Sequence, residues 1–412
     1  MTDRSFSRRE FLKTSGMALA GAALAPKLAM AEITQNRKSS KKIRMGIVGG
    51  GFGSDFQWHE DPNCIVEAVS DLIPARRAGL QAIYKSNKAY KSLEELIKDK
   101  DIDAVAVFTG APDHVRHAVA CMKAGKHVIS AVPACMTVDE AEELLDTVTK
   151  TGLSYMMAET SYYRQQMISA RKFYKEGKFG QIFCTEAEYH HPGLESLFFE
   201  KDGRPTWRHG LPPMNYPTHC TAFLCGLTNE RLTEVTCMGW GDDSPKLKGN
   251  RYKNPFWNET AMFKTDKGNP FRVAVWWSGA EHGTERAQWY GDKMSFFMDD
   301  PNGLSEIIIR AGKQTEKDDA GFVRDLPSFE KYAQPLYYQT DMLPETMRHN
   351  SGHGGSHTFL THEFIDALVN ERKPAIDIYQ ALAYTVPGIV AHKSALQGGK
   401  QMKIPVYDPN RS

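Results

Sequence analysis

The 412 residues contain no CxxC pair, no HExxH and no uninterrupted apolar stretch long enough to span a bilayer. The first two absences exclude thioredoxin-like redox motifs, zinc ribbons and the commonest metalloprotease site. The third leaves no candidate membrane helix, which needs about 20 apolar residues. No sign of charge dominates either: 51 Lys+Arg face 50 Asp+Glu, a net charge of +1. Nucleic-acid binding needs clustered positive charge, so it is not the main business of this chain. Seven cysteines (Cys64, Cys121, Cys135, Cys184, Cys220, Cys225, Cys237) are an odd number without framework spacing. They read as buried thiols rather than disulfides. Of His353, His357 and His362, the last two are five apart, not the i,i+4 spacing that would put a ligand pair on one helix face, and no metal is expected.

What is present begins with an address. Ser7-Arg8-Arg9-Glu10-Phe11-Leu12-Lys13 is a twin-arginine segment, residues 16–25 are small and apolar, and Ala29-Met30-Ala31 offers an A-x-A cleavage site. The expectation is an export signal over residues 1–31, a linker over 32–42 and a periplasmic or otherwise exported mature chain with no membrane insertion. The twin-arginine route carries proteins already folded, so a cofactor loaded before export is compatible with it.

From Ile43 onward, β-prone runs alternate with helical ones. Strands are expected at 43–48, 64–70, 104–108 and 127–131, and helices at 74–85, 93–98, 113–124 and 138–151. This alternation predicts a doubly wound parallel sheet over residues 43–160. Gly49-x-Gly51-x-x-Ser54, with Phe52 inside it, falls between the first strand and the expected next helix, where a dinucleotide pyrophosphate is held. Asp71 ends the second strand, 20 residues after Gly51, placed for the adenosine ribose hydroxyls. A carboxylate there repels a 2′-phosphate, favouring NAD. Arg76 and Arg77 keep NADP open.

With these residues the chain resembles the Gfo/Idh/MocA oxidoreductases, which pair a Rossmann domain with a C-terminal α/β domain built on a large, mixed, open sheet. The resemblance spans roughly residues 43–400 and is also carried by Thr109-Gly110-Ala111-Pro112-Asp113-His114 and Ala131-Val132-Pro133. Val132 stands where most of that family has a lysine that moves the substrate hydroxyl proton. The NAD-dependent α-N-acetylgalactosaminidase branch shares this valine. It also matches Glu159 and Tyr163, Tyr189-His190, Trp207-Arg208, Tyr216-Pro217-Thr218-His219 and Gly352-His353-Gly354-Gly355. Cys220-Thr221-Ala222 departs from that branch's glycine-rich continuation.

The resemblance implies His219, Tyr216 and Tyr189 as catalytic residues. For the cofactor it implies Gly49, Gly51, Phe52, Asp71, Thr109, His114 and Glu159, and for the substrate Tyr163, Trp207, Arg208 and His353. A histidine suits the removal of a hydroxyl proton near neutral pH, and Trp with Arg suits a sugar's face and hydroxyls. Residues 161–412 are then a substrate domain, and a homo-oligomer follows by resemblance. β-Prone runs lie near 231–239, 261–265, 272–278, 293–298 and 304–310, and residues 319–347 read as an irregular surface segment. The expected activity is NAD(P)-dependent oxidation of a secondary hydroxyl of a sugar or glycoside. A redox-neutral, NAD-dependent glycoside hydrolase stands beside it. A sugar-binding protein that keeps its nucleotide without turnover is disfavoured by the Tyr216–His219 pair.

Overall fold

The computed structural model describes residues 40–281 and 283–409, with the backbone alone at Lys313 and Gln314. The expected export signal and most of the linker lie outside the described residues. None of the described helices is long and apolar enough to cross a membrane.

Six strands form the first sheet: β1 (Ile43–Val48), β2 (Cys64–Ser70), β3 (Lys88–Tyr90), β4 (Ala104–Val107), β5 (His127–Ser130) and β6 (Tyr155–Met157). They are all parallel, in the order β3-β2-β1-β4-β5-β6. The central strands β1 and β4 are buried at every position but Arg44, which is why they read as apolar runs rather than as alternation. Four helices cross between strands: α1 (Pro74–Tyr84), α2 (Leu93–Leu96), α3 (His114–Lys123) and α4 (Val138–Thr151). α4 starts at a reciprocal cap between Thr137 and Glu140 and stops at Gly152, whose φ is +66°.

One expected element is missing. The helix anticipated after the glycine run is replaced by two short 3₁₀ turns, Phe52–Asp55 and Trp58–Glu60, separated by Gln57 in a left-handed conformation. Phe56 and Trp58 are fully buried there. Their burial comes from a helix 300 residues further on, α7, described below.

A 3₁₀ turn, Thr160–Tyr163, leads into α5 (Gln165–Lys175) and the second sheet. Its strands are β7 (Ile182–His190), β8 (Leu232–Trp240), β9 (Asn258–Thr265), β10 (Pro270–Trp276), β11 (Thr284–Gly291), β12 (Met294–Phe297), β13 (Ile307–Lys317), β14 (Val323–Lys331) and β15 (Met402–Lys403). The order is β14-β13-β12-β11-β7-β10-β9-β8-β15, antiparallel except where β10 runs parallel to β7. The mixed open sheet is the expected one. β14 corrects the reading of 319–347 as irregular: it is an edge strand exposed along its whole length, so no inward face produces a period-2 pattern, and Pro327 within it is tolerated only at an edge.

Helices α6 (Thr218–Thr228), α7 (Gly352–Val369) and α8 (Ile378–Leu396) complete the chain. α6 packs against β7, the 160–163 turn and α8. On the inner face of the sheet one cross-strand row reads Glu285, Tyr189, Val275, Glu259. Both carboxylates in this row are buried and committed. Glu259 accepts from Met214 N (2.7 Å) and from His392 Nδ1 (2.8 Å), anchoring the turn that precedes Tyr216. Glu285 is committed to the site described below.

α7 docks on the 52–61 segment through Phe56, which stacks on His357 at 4.4 Å and 7°. Thr361 Oγ1 donates to Phe56 O (2.5 Å), Trp58 meets Phe364 edge-on, and His362 Nδ1 lies 2.8 Å from Asp61 Oδ2. Removing the central ring should therefore loosen the join between the two sheets. We expect Phe56→Ala to destabilise the protein by about 3–5 kcal/mol, the usual cost of deleting a buried aromatic, measured by urea denaturation.

Candidate active site

A cleft of about 710 Å³ opens above the C-terminal ends of β1 and β4, where the strand order of this parallel sheet reverses. Gly49 (φ +101°) begins it. A side chain there would meet Phe108 O at 2.2 Å, so glycine is obligatory. Beyond Gly51 the space within 4 Å is open, as close approach of a phosphate requires. Asp71 closes the loop from below: its Oδ2 accepts from Gly50 N (2.6 Å) and its Oδ1 from Ile73 N (2.7 Å). Arg76 lines the cleft, while Arg77 donates to Asp71 O (2.7 Å).

At the other end, Ala131, Val132, Ala158 and Thr160 line the wall below Tyr189, Tyr216 and His219. Thr160 Oγ1 is buried there without a partner. Phe52 and Thr109 face the same cleft. The glycine cradle, the Asp71 carboxylate on the cleft and this unpartnered hydroxyl fit a dinucleotide, which these residues would hold.

His219 stands in the first turn of α6 and is 5% exposed. Its Nδ1 lies 2.8 Å from Glu159 Oε1 and 3.3 Å from Ser161 Oγ, so the carboxylate fixes the proton on Nδ1 and leaves Nε2 for the cleft. Burial alone would lower its pKa, but the carboxylates of Glu159 and Glu285 together raise it above the ordinary imidazole value. Glu285 is held by Arg164 through Nε (2.8 Å) and Nη2 (2.5 Å) and also accepts from Ser161 Oγ. Burial acts against its charge, yet Arg164 beside it brings the carboxyl down to about 2. Tyr189 sits 4.6 Å from the His219 ring and Tyr216 5.3 Å from it. Burial pushes the Tyr189 phenol well up and the Tyr216 phenol to about 12, so both keep their protons near neutrality.

Trp207 and Arg208 enter from the second sheet's side. The Trp207 ring packs against Gly110, where a Cβ would meet it at 2.9 Å. Arg208 stacks on that ring at 4.1 Å and forms no ion pair among the described residues. Burial pulls its pKa down, opposed only by the phenols of Tyr216, Tyr189 and Tyr252. His353 lines the cleft beside them.

Three expected site residues lie elsewhere. His114 is 1% exposed and bridges Pro133 O (2.7 Å) and Thr109 O (3.0 Å), so it ties the loops after β4 and β5 together rather than facing a cofactor. Tyr163 is buried and stacks on Phe359 at 5.4 Å, which makes it a packing residue and not a substrate contact. Glu159 is fully buried behind His219 instead of lining the cofactor wall. Sequence reasoning missed Ser161, Arg164 and Glu285. The first lies between the expected Glu159 and Tyr163, and the second is the residue after Tyr163. Glu285 lies on β11, a strand whose Thr-Glu-Arg start hid its alternation.

A raised folded pKa means that the stability contributed by charged His219 is complete below its unfolded value, about 6.5. It is lost as pH rises through the folded value. Glu159→Gln should move the His219 titration downward, read by NMR of its ring protons, and should flatten the loss of stability between mildly acidic and alkaline urea denaturations.

Comparison with known proteins places these features. Residues 43–159 match the oxidoreductase family with an NAD-binding Rossmann fold, Gfo/Idh/MocA, and residues 298–411 match the glycosyl hydrolase 109 C-terminal domain. The chain is 26% identical to a glycosyl hydrolase family 109 protein of Solibacter usitatus, covering 97% of each chain. It is 24% identical to an alpha-N-acetylgalactosaminidase of Shewanella oneidensis, covering 97% of this chain and 95% of that one. In fold it resembles a levoglucosan dehydrogenase solved in complex with NADH, with a TM-score of 0.72, 17% identity, and coverage of 89% and 100%. This chain thus joins a Gfo/Idh/MocA NAD-binding Rossmann domain to a glycosyl hydrolase 109 C-terminal domain.

Proposed function

We propose that the protein is an NAD-dependent carbohydrate enzyme that oxidises a secondary hydroxyl of a glycoside. The observation that carries this reading is the Glu159–His219 pair, which presents a base to the same cleft that holds the glycine cradle and Asp71. A dinucleotide held by the Gly49–Gly51 turn and Asp71 would supply the acceptor for the hydride of the carbinol carbon. His219 Nε2 takes the hydroxyl proton, and Glu159 stabilises the imidazolium that forms. Val132 offers no amine, so no lysine at this position competes for the proton. Trp207 covers a sugar face, and Arg208 donates to its hydroxyls. The two tyrosines, protonated at neutral pH, donate hydrogen bonds to substrate oxygens.

The glycosyl hydrolase 109 match over residues 298–411 favours a second step. A ketone at C3 acidifies the C2 proton, so its removal expels the C1 substituent. Water then adds and the ketone is reduced again, giving net hydrolysis without net oxidation.

The Asp71 carboxylate supports NAD over NADP, which calorimetry with both nucleotides would read. The open face of the second sheet leaves Met238, Trp240 and Met262 at least half exposed. This supports a homo-oligomer closed on that face, which light scattering would read.

His219→Ala should reduce turnover by roughly 10²–10⁴-fold, the contribution of a positioned acid–base group, with NAD affinity nearly unchanged. The assay follows nicotinamide absorbance and aglycone release over a panel of glycosides. Parental turnover in the variant would remove His219 from the chemistry. We also read residues 1–31 as a twin-arginine export signal. Changing Arg8 and Arg9 together to Lys should leave uncleaved protein in the cytoplasm on cell fractionation, and processed protein outside the inner membrane would refute that route.

A further inference from the structure

His353 is held more elaborately than a hydroxyl-binding residue needs. It opens α7 at φ +53°, followed by Gly354 at +67° and Gly355 at +91°. Such a run is unfavourable for a histidine and persists only where the surroundings impose it. Here they do. Gly355 packs so closely on Tyr338 that a Cβ would lie 2.5 Å from its ring, and Gln165 Nε2 donates to Gly354 O at 3.1 Å. The missing side chain of Gly352 leaves room for the His357 ring, which a Cβ there would meet at 2.2 Å. Phe52 places its ring edge-on to both histidines, at 5.9 and 5.5 Å.

The two imidazoles form a chain whose proton positions follow from its last member. His357 Nδ1 lies 2.9 Å from Asp55 O, a backbone carbonyl that can only accept, so this nitrogen carries the proton. Burial holds the His357 pKa below its ordinary value, so the ring is neutral and its Nε2 is a lone pair. His353 Nδ1, 2.8 Å from that lone pair, must then donate to it. The remaining nitrogen of His353, Nε2, is left unprotonated. The side chain is exposed where the cleft meets a second chamber of about 510 Å³, lined by Arg164, Gln166, Arg286 and Asp299. Among the described residues, Tyr189, His191 and His353 alone border both spaces.

The charged and titratable neighbours leave that lone pair in place. Desolvation among the packed rings lowers the His353 pKa, with Glu285 opposing and His357, His219 and Arg164 reinforcing. His219 is shifted the other way. Two imidazoles on one cleft with opposite shifts divide acid from base. Their positions divide the labour too. His219 is bonded to residues flanking Thr160, on the cleft wall shared with Val132, where the proposed function puts hydroxyl oxidation. His353 stands where a leaving group would pass into the second chamber.

We propose that His353 Nε2 is the base that removes the C2 proton of the oxidised glycoside. The assignment rests on the cleavage reading above. The C2–H electron pair becomes the C1=C2 bond, and the C1–O bond breaks with its pair staying on the aglycone oxygen. That oxygen takes the proton His219 received from the hydroxyl. The C2 proton rests on His353, whose Nδ1–H donates to His357 throughout. Tyr189 and Tyr216 are poorer candidates, because their phenols hold their protons far above neutrality.

Two measurements test this. In the NAD-loaded native enzyme, ¹⁵N NMR of labelled histidines should show His353 protonated at Nδ1 alone at neutral pH, and a proton on Nε2 would overturn the proposal. In D₂O, with methyl and nitrophenyl glycosides of glucose, galactose and N-acetylgalactosamine as probes, the parent should place deuterium at C2. His353→Asn should cut C2 deuteration and aglycone release by roughly 10²–10⁴-fold, while nicotinamide reduction falls far less. Loss of C2 deuteration in Tyr189→Phe but not in His353→Asn would transfer the role to the phenol. A parent enzyme that reduces nicotinamide yet places no deuterium at C2 would overturn the cleavage reading itself, whatever the tautomer of His353.

Discussion

The seating of one late helix on the glycine-rich loop is the interaction on which the rest of the site depends. The segment after β1 is too irregular to bury its own aromatics: Phe56 and Trp58 project from two 3₁₀ turns with no helix of their own to cover them. α7 supplies the cover. Phe56 against His357, Trp58 against Phe364 and Thr361 against the Phe56 carbonyl remove apolar surface and satisfy a backbone acceptor together. The same contact delivers His353 to the cleft, so the join between the sheets and the assembly of the site are one event.

The second constraint is electrostatic. Glu159 and Glu285 are two buried carboxylates near one imidazole, an arrangement that would repel itself without compensation. Arg164 neutralises Glu285 with a two-point grip, leaving Glu159 to act on His219. Ser161 bridges the two halves. These groups come from the 159–164 turn, β11 and the start of α6, so the His219 pKa is set jointly by both domains. A buried pair of this kind adds little net stability after desolvation but costs heavily when one partner is lost.

The same logic separates the histidines by role. His219 is raised by carboxylates, His114 is spent on two backbone carbonyls, and His357 is pinned by a third. Residue type alone does not distinguish them; the partner of each ring nitrogen does.

Much of the Rossmann half was legible because its signals are local. Buried parallel strands read as apolar runs, helix ends are marked by Thr137 and Gly152, and the Gly49-x-Gly51 turn with Asp71 follows from backbone sterics within about 25 residues. Tyr189, Tyr216 and His219 were nameable for a different reason, through quoted motifs that resemble a known branch. The sequence could not show that Glu159 lies behind His219, that Tyr163 packs on Phe359, or that Glu285 sits across from Tyr189 on the next strand. Nor could it show the absent helix after Gly51, because Phe52, Phe56 and Trp58 are satisfied by residues 300 positions away. Local sterics and periodicity are written in neighbouring residues. Burial, charge pairing and tautomer depend on which distant atoms arrive alongside, and only the tertiary structure decides that.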